Sequence, residues 1–355
     1  MADTTDTLKA RPATAGSDIG SPTLAPPGTP SAGARRRGRA PAVLLLTVIV
    51  GLAVLLLGTG AFGWSKAPAL STWRTVLMAI VVQGMPFLLL GTVVSAAIGA
   101  FVPPDLFGRL LPKRPALAVP VACAAGVVLP GCECASVPVA GSLMRRGVAP
   151  AAALAFLLSA PAVNPVVLVS TAIAFPGKPE MVLARLTASL LTSATMGWLW
   201  VKLGKEEWLR LPKAPDDLAD DAGPWERFGR GLQHDFLHAG GFLVVGAMAA
   251  ATFNVLVPPS VLQLFTDTPW LQVLALGVLA VVLAVCSEAD AFVAASLTGF
   301  SPTARLAFMV VGPMVDLKLI ALQSGAFGRR FAARFPAATF LVAVLVSIAV
   351  GGVLL

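Results

Sequence analysis

The chain has 355 residues, of which 57% are hydrophobic and only 12% charged. A soluble domain needs more charge than this on its surface, so the composition excludes the soluble classes and indicates a multi-span helical membrane protein. The net charge of +8 does not point to nucleic acid, because Lys and Arg sit in short clusters beside apolar runs, where topology signals lie.

In chain order, residues 1–41 are rich in Ala, Thr, Pro, Gly and Ser and end near RRRGR at 35–39. This composition predicts a disordered cytoplasmic tail. The apolar run 42–63 predicts an extra N-terminal span that leaves from the cytoplasm. Apolar stretches follow at 75–102, 115–131, 134–144, 149–175 and 180–203, then at 232–257, 270–286, 289–299, 304–324 and 336–355. Between these two sets lies a polar segment, 204–229, with Pro and acidic clusters, expected to be a cytoplasmic linker. The period-two pattern of an outer-membrane barrel is absent.

The two sets are copies of one unit. VPP at 102–104 recurs at 257–259. GCECASVPVAGSL (131–143) aligns with VCSEADAFVAASL (285–297), and PAAALAFLLSAPAVNP (150–165) with PTARLAFMVVGPMVDL (302–317). Transporter repeats are therefore assigned to 75–203 and 230–355. Their orientation follows from Lys and Arg. Arg109, Lys113 and Arg114 mark one inside loop, and Arg145 with Arg146 mark the next. The segment between them must cross an even number of times. Its part 134–144 is about 11 residues, or roughly 17 Å of helix, against a hydrocarbon core of about 30 Å. A re-entrant hairpin turning near Gly131–Cys134 satisfies both conditions. The second copy then starts inside and runs the opposite way, with Arg329, Arg330 and Arg334 inside and Arg305 as the one exception. The expected fold class is an all-α polytopic membrane protein. It has two inverted repeats, each of about three spans plus a hairpin, and the extra N-terminal span. In such folds the site lies at the midplane, where broken helices of the two repeats meet.

Candidate site residues follow from the matched positions. The first hairpin tip carries Cys132, Glu133, Cys134 and Ser136; the second carries Cys286, Ser287, Glu288 and Asp290. In the next span, Pro161 and Asn164 match Pro313 and Asp316, with Lys318 close by. Proline inside a span frees carbonyls, so Asn164 and Asp316 are expected to line a cavity. Cys132 and Cys286 are repeat mates, and with Cys134 they offer three thiols to a soft metal or metalloid. Intramembrane Glu133, Glu288 and Asp290 are expected to couple protons or hold a cation. Asp316 and Lys318 either neutralise one another or form a gate.

Other polar residues have plainer readings. Cys123 has no polar repeat mate and reads as packing. Ser159, Asn164 and Ser170 also fit hydrogen bonding between helices. Arg185, near a span end, is expected to snorkel to the interface. His234 and His238, four apart at the start of a span, read as a polar interface face. No Walker motif and no catalytic set emerges, and no cofactor is implied. The expected partners are the lipid bilayer and a small thiophilic ion or metalloid.

At GCECASVPVAG and LSAPAVNPV, paired with SEADAF and GPMVDLKL, the chain resembles the predicted-permease family that includes the trivalent organoarsenical efflux permeases. The resemblance covers about residues 75–355. It implies an inner-membrane efflux transporter of thiophilic species, in the organoarsenical, arsenite, copper or zinc class. Two rival readings are a membrane thiol redox enzyme cycling Cys132 and Cys134, and a transporter of an organic anion or hard ion.

Overall fold

A computed structural model describes residues 68–103, 112, 114–127, 132–210, 223–256 and 268–355. The expected tail (1–41), the extra span (42–63), Arg109, Lys113, Gly131, residues 211–222 of the linker and the second VPP lie outside the described residues. All regular structure described is helical. In hydrocarbon this is the economical solution, because a helix satisfies its own backbone groups. The helices are α1 (Pro68–Phe101), α2 (Pro115–Ala125), α3 (Glu133–Arg145), α4 (Pro150–Val163), α5 (Pro165–Ala174) and α6 (Pro179–Leu203). They continue with α7 (Pro224–Leu256), α8 (Pro269–Leu283), α9 (Asp290–Ser296), α10 (Pro302–Val311), α11 (Leu317–Phe327) and α12 (Arg329–Leu354). Eight of them open on proline, where its fixed φ suits the first turn and its missing N–H is not needed.

The order of elements in 68–203 recurs in 224–354: a long helix, two short ones, a broken one and a long one. Among the described residues, four segments are long and apolar enough to cross a membrane: Ala69–Phe101, Pro150–Ala174, Pro224–Leu256 and Arg329–Leu354. α6 has 25 residues, about 37 Å, but its buried face carries Arg185, Ser189, Thr192 and Ser193. The short helices α2, α3, α8 and α9 have 11, 13, 15 and 7 residues. None of these exceeds about 23 Å, so none crosses a core of about 30 Å alone.

Long helices with matching places in the two sets lie antiparallel. Trp73, early in α1, donates to Thr252, late in α7 (3.0 Å). Phe101, at the far end of α1, meets Trp225 at the start of α7, with ring centroids 5.0 Å apart. Likewise Trp200, late in α6, sits edge-on to Phe331 and Phe335, early in α12 (5.6 and 6.0 Å). α4 is apolar all round and buried from Ala151 to Val163, as expected of a helix at the centre of a bundle. Basic residues collect at one end. Arg145 pairs with Asp235 of α7 (3.2 Å), and Arg146 lies beside Arg227. The Arg210 N–H donates to the Phe327 carbonyl (2.9 Å), and Arg334 covers the Trp208 ring (4.6 Å). Arg305 lies elsewhere, over Phe175 at the end of α5 (6.0 Å).

The α1–α7 pair rests on α3 and α11, and glycine permits the close approach. A Cβ at Gly91 of α1 would lie 2.7 Å from the Ala135 carbonyl oxygen. A Cβ at Gly246 of α7 would lie 2.5 Å from the Lys318 Cα and 3.0 Å from the Ala321 Cβ. Real atoms cannot sit this close to a rigid backbone, so the helices would have to part. Gly241 faces nothing within 4 Å. Gly91→Ala and Gly246→Ala are therefore expected to destabilise the solubilised protein by about 1–3 kcal/mol, the usual cost of overpacking. Gly241→Ala should leave its thermal unfolding midpoint unchanged or raised.

A buried charge cluster at the hairpin tips

Polar groups are buried where α3 starts and where α8 gives way to α9. Cys132 is the N-cap of α3, and Glu133 opens that helix. α8 ends at Ala284, which has φ 50°, a left-handed conformation costly for a residue with a Cβ. That turn points the Ala284 carbonyl at Lys318 Nζ (2.8 Å) and leads into Cys286. Two further breaks follow in the spans. Asn164 separates α4 from α5, with Pro161 inside the last turn of α4. Gly312–Asp316, which includes Pro313, separates α10 from α11.

Asn164 and Asp316 are helix caps. Asn164 Oδ1 accepts from the Val167 N–H (2.9 Å) and its Nδ2 donates to the Ala160 carbonyl (3.4 Å). Asp316 Oδ1 accepts from the Leu319 N–H (2.6 Å). Capping satisfies orphan donors of the new half-helix. It turns one oxygen of Asp316 to the helix and leaves Oδ2 for Lys318, 3.4 Å away.

Lys318 is fully buried and is the hub of the cluster. Its Nζ lies 2.6 Å from Glu133 Oε1 and 3.7 Å from Cys286 Sγ. The second hub is Arg185. Its Nη2 donates to Asp290 Oδ2 (2.7 Å) and to the Ser287 carbonyl (3.3 Å), and its Nη1 donates to Thr171 Oγ1 (2.8 Å). Two of the three carboxylates, Glu133 and Asp290, are thus neutralised by cations from distant parts of the chain. Glu133 of the first tip takes Lys318 of α11, and Asp290 of the second takes Arg185 of α6.

Arg185 corrects the expectation of a snorkelling interface residue. It has no exposed surface, because Asp290, Ser287 and Thr171 supply the partners that water would otherwise give. The clue available in the sequence was its run with Ser189, Thr192 and Ser193, which shares one helical face. Sequence reasoning also missed Thr171.

The side chains of Cys132, Cys134 and Cys286 lie close enough to interact, and all of them are free and buried. A Cβ on Gly84 of α1 would lie 3.7 Å from Cys134 Sγ, so the α1–α7 pair covers this side. Among the described residues no group of three or more His, Cys, Asp and Glu side chains is arranged to hold a metal ion. Ser136 Oγ bonds back to the Glu133 carbonyl (3.0 Å). Ser159 and Ser170 also bond within their own helices (3.2 and 3.0 Å), rather than between helices. Cys123 packs with Val119, Ala151 and Ala155. His234 and His238 stack at 5.9 Å in contact with Asp235 and the Gly325 carbonyl.

Several buried oxygens have no hydrogen-bond partner among the described residues: Glu133 Oε2, Glu288 Oε2, Asp290 Oδ1 and Ser287 Oγ. Unpartnered acceptors at this depth are costly, and functional sites are where such cost is retained.

A helical protein with several membrane-crossing segments and a buried polar centre between broken helices has the form of a membrane transporter. The chain belongs to the predicted permease family ArsP_1, whose model matches residues 70–354. It is 34% identical over 279 residues to the UPF0718 protein YcgR of Bacillus subtilis (strain 168), covering 77% of this chain and 94% of that protein. It is 29% identical over 282 residues to a Streptococcus mutans protein named "Putative two-component membrane permease complex subunit", covering 78% and 94%. No solved structure matches the chain.

Removing the Arg185 charge strands Asp290. Arg185→Met should lower stability by about 3–5 kcal/mol, as for other buried pairs broken on one side. Adding Asp290→Asn should recover part of the loss. Thermal unfolding of the two variants in detergent measures both.

Proposed function

We propose that the chain is an inner-membrane permease that exports a soft metal or metalloid by alternating access. Cys132, Cys134 and Cys286 bind the substrate, Asn164 and Asp316 shape the cavity, and Glu133, Glu288 and Asp290 carry proton coupling. The observation that carries this reading is the meeting of three thiols with buried carboxylates where segments of both repeats break. Soft thiolates favour soft cations, and broken helices at the midplane are how transporters build sites.

In this reading the two copies are inverted repeats. The antiparallel α1–α7 and α6–α12 pairs support that. The basic end is taken as cytoplasmic by the positive-inside rule, in keeping with an N-terminus inside. Alternation has its own support. α1 and α7 rest on α3 and α11, and neither makes comparable contact with the repeat mates α9 and α5. A two-fold exchange of the repeats would seat the pair on α9 and α5 instead, opening the other side. Ser95 of α1, Arg145 of α3 and Asp235 of α7 tie the present arrangement at the basic end (2.9 and 3.2 Å).

The deciding experiment is a metal and metalloid sensitivity panel on a deletion strain. Complementation by the intact chain should restore resistance, and Cys132→Ser with Cys134→Ser should abolish it at equal protein level. Resistance unchanged in that variant removes the thiol role. In inverted vesicles, transport indifferent to a pH gradient removes proton coupling. Asp235→Ala loosens the tie at the basic end, so labelling of the native cysteines by a membrane-permeant maleimide should become faster than in the parent protein.

A further inference from the structure

The cluster is short of positive charge. Glu133, Glu288, Asp290 and Asp316 lie in it against Lys318 and Arg185. Glu133, Asp290 and Asp316 are fully buried, and Glu288 keeps one buried oxygen without a partner among the described residues. Uncompensated carboxylates at this depth are expensive unless a cation or proton joins them.

The two resident cations are held differently. Arg185 lies mid-helix in α6, fastened by a carboxylate, a carbonyl and a hydroxyl at 2.7–3.3 Å. A guanidinium keeps its charge and its fork geometry. Lys318 lies in the first turn of α11, two residues after the break at Asp316. Its ammonium is a point charge on a flexible stem. It is surrounded by acceptors from three separate segments: Glu133 Oε1 (2.6 Å), Ala284 O (2.8 Å) and Cys286 Sγ (3.7 Å) of one turn, and Asp316 Oδ2 (3.4 Å). These are two carboxylates, a carbonyl and a thiol, drawn from both repeats and converging on one point. Without the ammonium, they are the ligand set of a cation.

We infer that the point held by Lys318 Nζ is the substrate's cation site, and that Lys318 is a tethered cation which vacates it when a metal cation enters. The inference rests on the permease reading above and narrows its substrate class to charged metal ions such as Zn(II) or Cu(I), rather than neutral metalloid species. The tether also explains the spacing of the donors. Distances of 2.6–3.7 Å suit an ammonium. A metal needs about 2.0–2.3 Å, so the donors close in only after Lys318 leaves. The missing metal geometry among the described residues follows from the same fact. The movement asked of Lys318 is local, because it lies in the first turn of α11, directly after the break at 312–316.

The test is binding measured as thermal stabilisation of the full-length protein in detergent. The variants are Lys318→Ala, Lys318→Ala with Glu133→Gln, and Lys318→Arg. The probes are zinc chloride, Cu(I), methylammonium chloride and sodium arsenite. Lys318→Ala should melt below the parent protein. Zinc or Cu(I) should restore it, with half-saturation about tenfold or more below that of the parent, whose own ammonium competes. Methylammonium should restore it partly, and neutral arsenite should not. Adding Glu133→Gln should remove the rescue.

Equal metal response in Lys318→Ala and the parent would overturn the inference, as would rescue by arsenite alone. If Lys318→Ala does not fold, Lys318→Arg decides: its bulkier fixed cation should blunt metal stabilisation relative to the parent, and an unchanged response overturns the proposal. The outcome is separable from that of the resistance panel. Metal rescue without resistance leaves the cation site standing and removes export. Resistance without metal rescue leaves export standing and removes the cation site.

Discussion

Charge buried in a medium that cannot solvate it is the constraint on which this molecule is built. A lone carboxylate or ammonium at such depth costs several kcal/mol or more, yet six ionisable side chains gather here. The chain meets the cost by crossing its partners. Lys318 reaches from the second half of the chain to Glu133 in the first, and Arg185 reaches from the first half to Asp290 in the second. Lys318 also holds Asp316 of its own half, 3.4 Å away. The pairing therefore joins the halves as well as solvating the charges.

The helix breaks serve the same end. A continuous span has no spare backbone groups, so it cannot solvate an ion. Interruptions at Asn164 and at Gly312–Asp316 create new helix starts, which Asn164 and Asp316 cap. The left-handed turn at Ala284 frees a carbonyl that points at Lys318. Glycines then let α1 and α7 lie close over this polar centre. The Gly91–Ala135 approach and the Gly246–Lys318 approach leave no room even for a methyl group. Close packing of small residues is a general basis for association in lipid, where apolar burial gives no drive. Contacts of this kind can also be remade elsewhere, which suits a pair of helices seated on one side of its partners.

Much of this was legible before the fold. Apolar runs of spanning length and the recurring GCECASVP and VCSEADAF stretches set the class, the order of elements and the tip residues. Cys132, Cys134 and Cys286 were paired through the repeat, and the structure brings their thiols together. Asn164 and Asp316 were read as cavity-lining residues; capping accounts for the bonds described for Asn164 and for one oxygen of Asp316. A cap is recognisable only once the break in the helix is known.

Arg185 marks the boundary between the two kinds of information. Periodicity and composition depend on near neighbours in the chain, so they report which segments cross and which fold back. An ion pair between residues 105 positions apart leaves no such trace, because it depends on how helices from different halves are set against each other. By sequence, Arg185 is a cation near a span end, and Lys318 is either a counter-ion of Asp316 or part of a gate. Packing alone makes the first a buried partner of Asp290, and surrounds the second with donors from both halves of the chain.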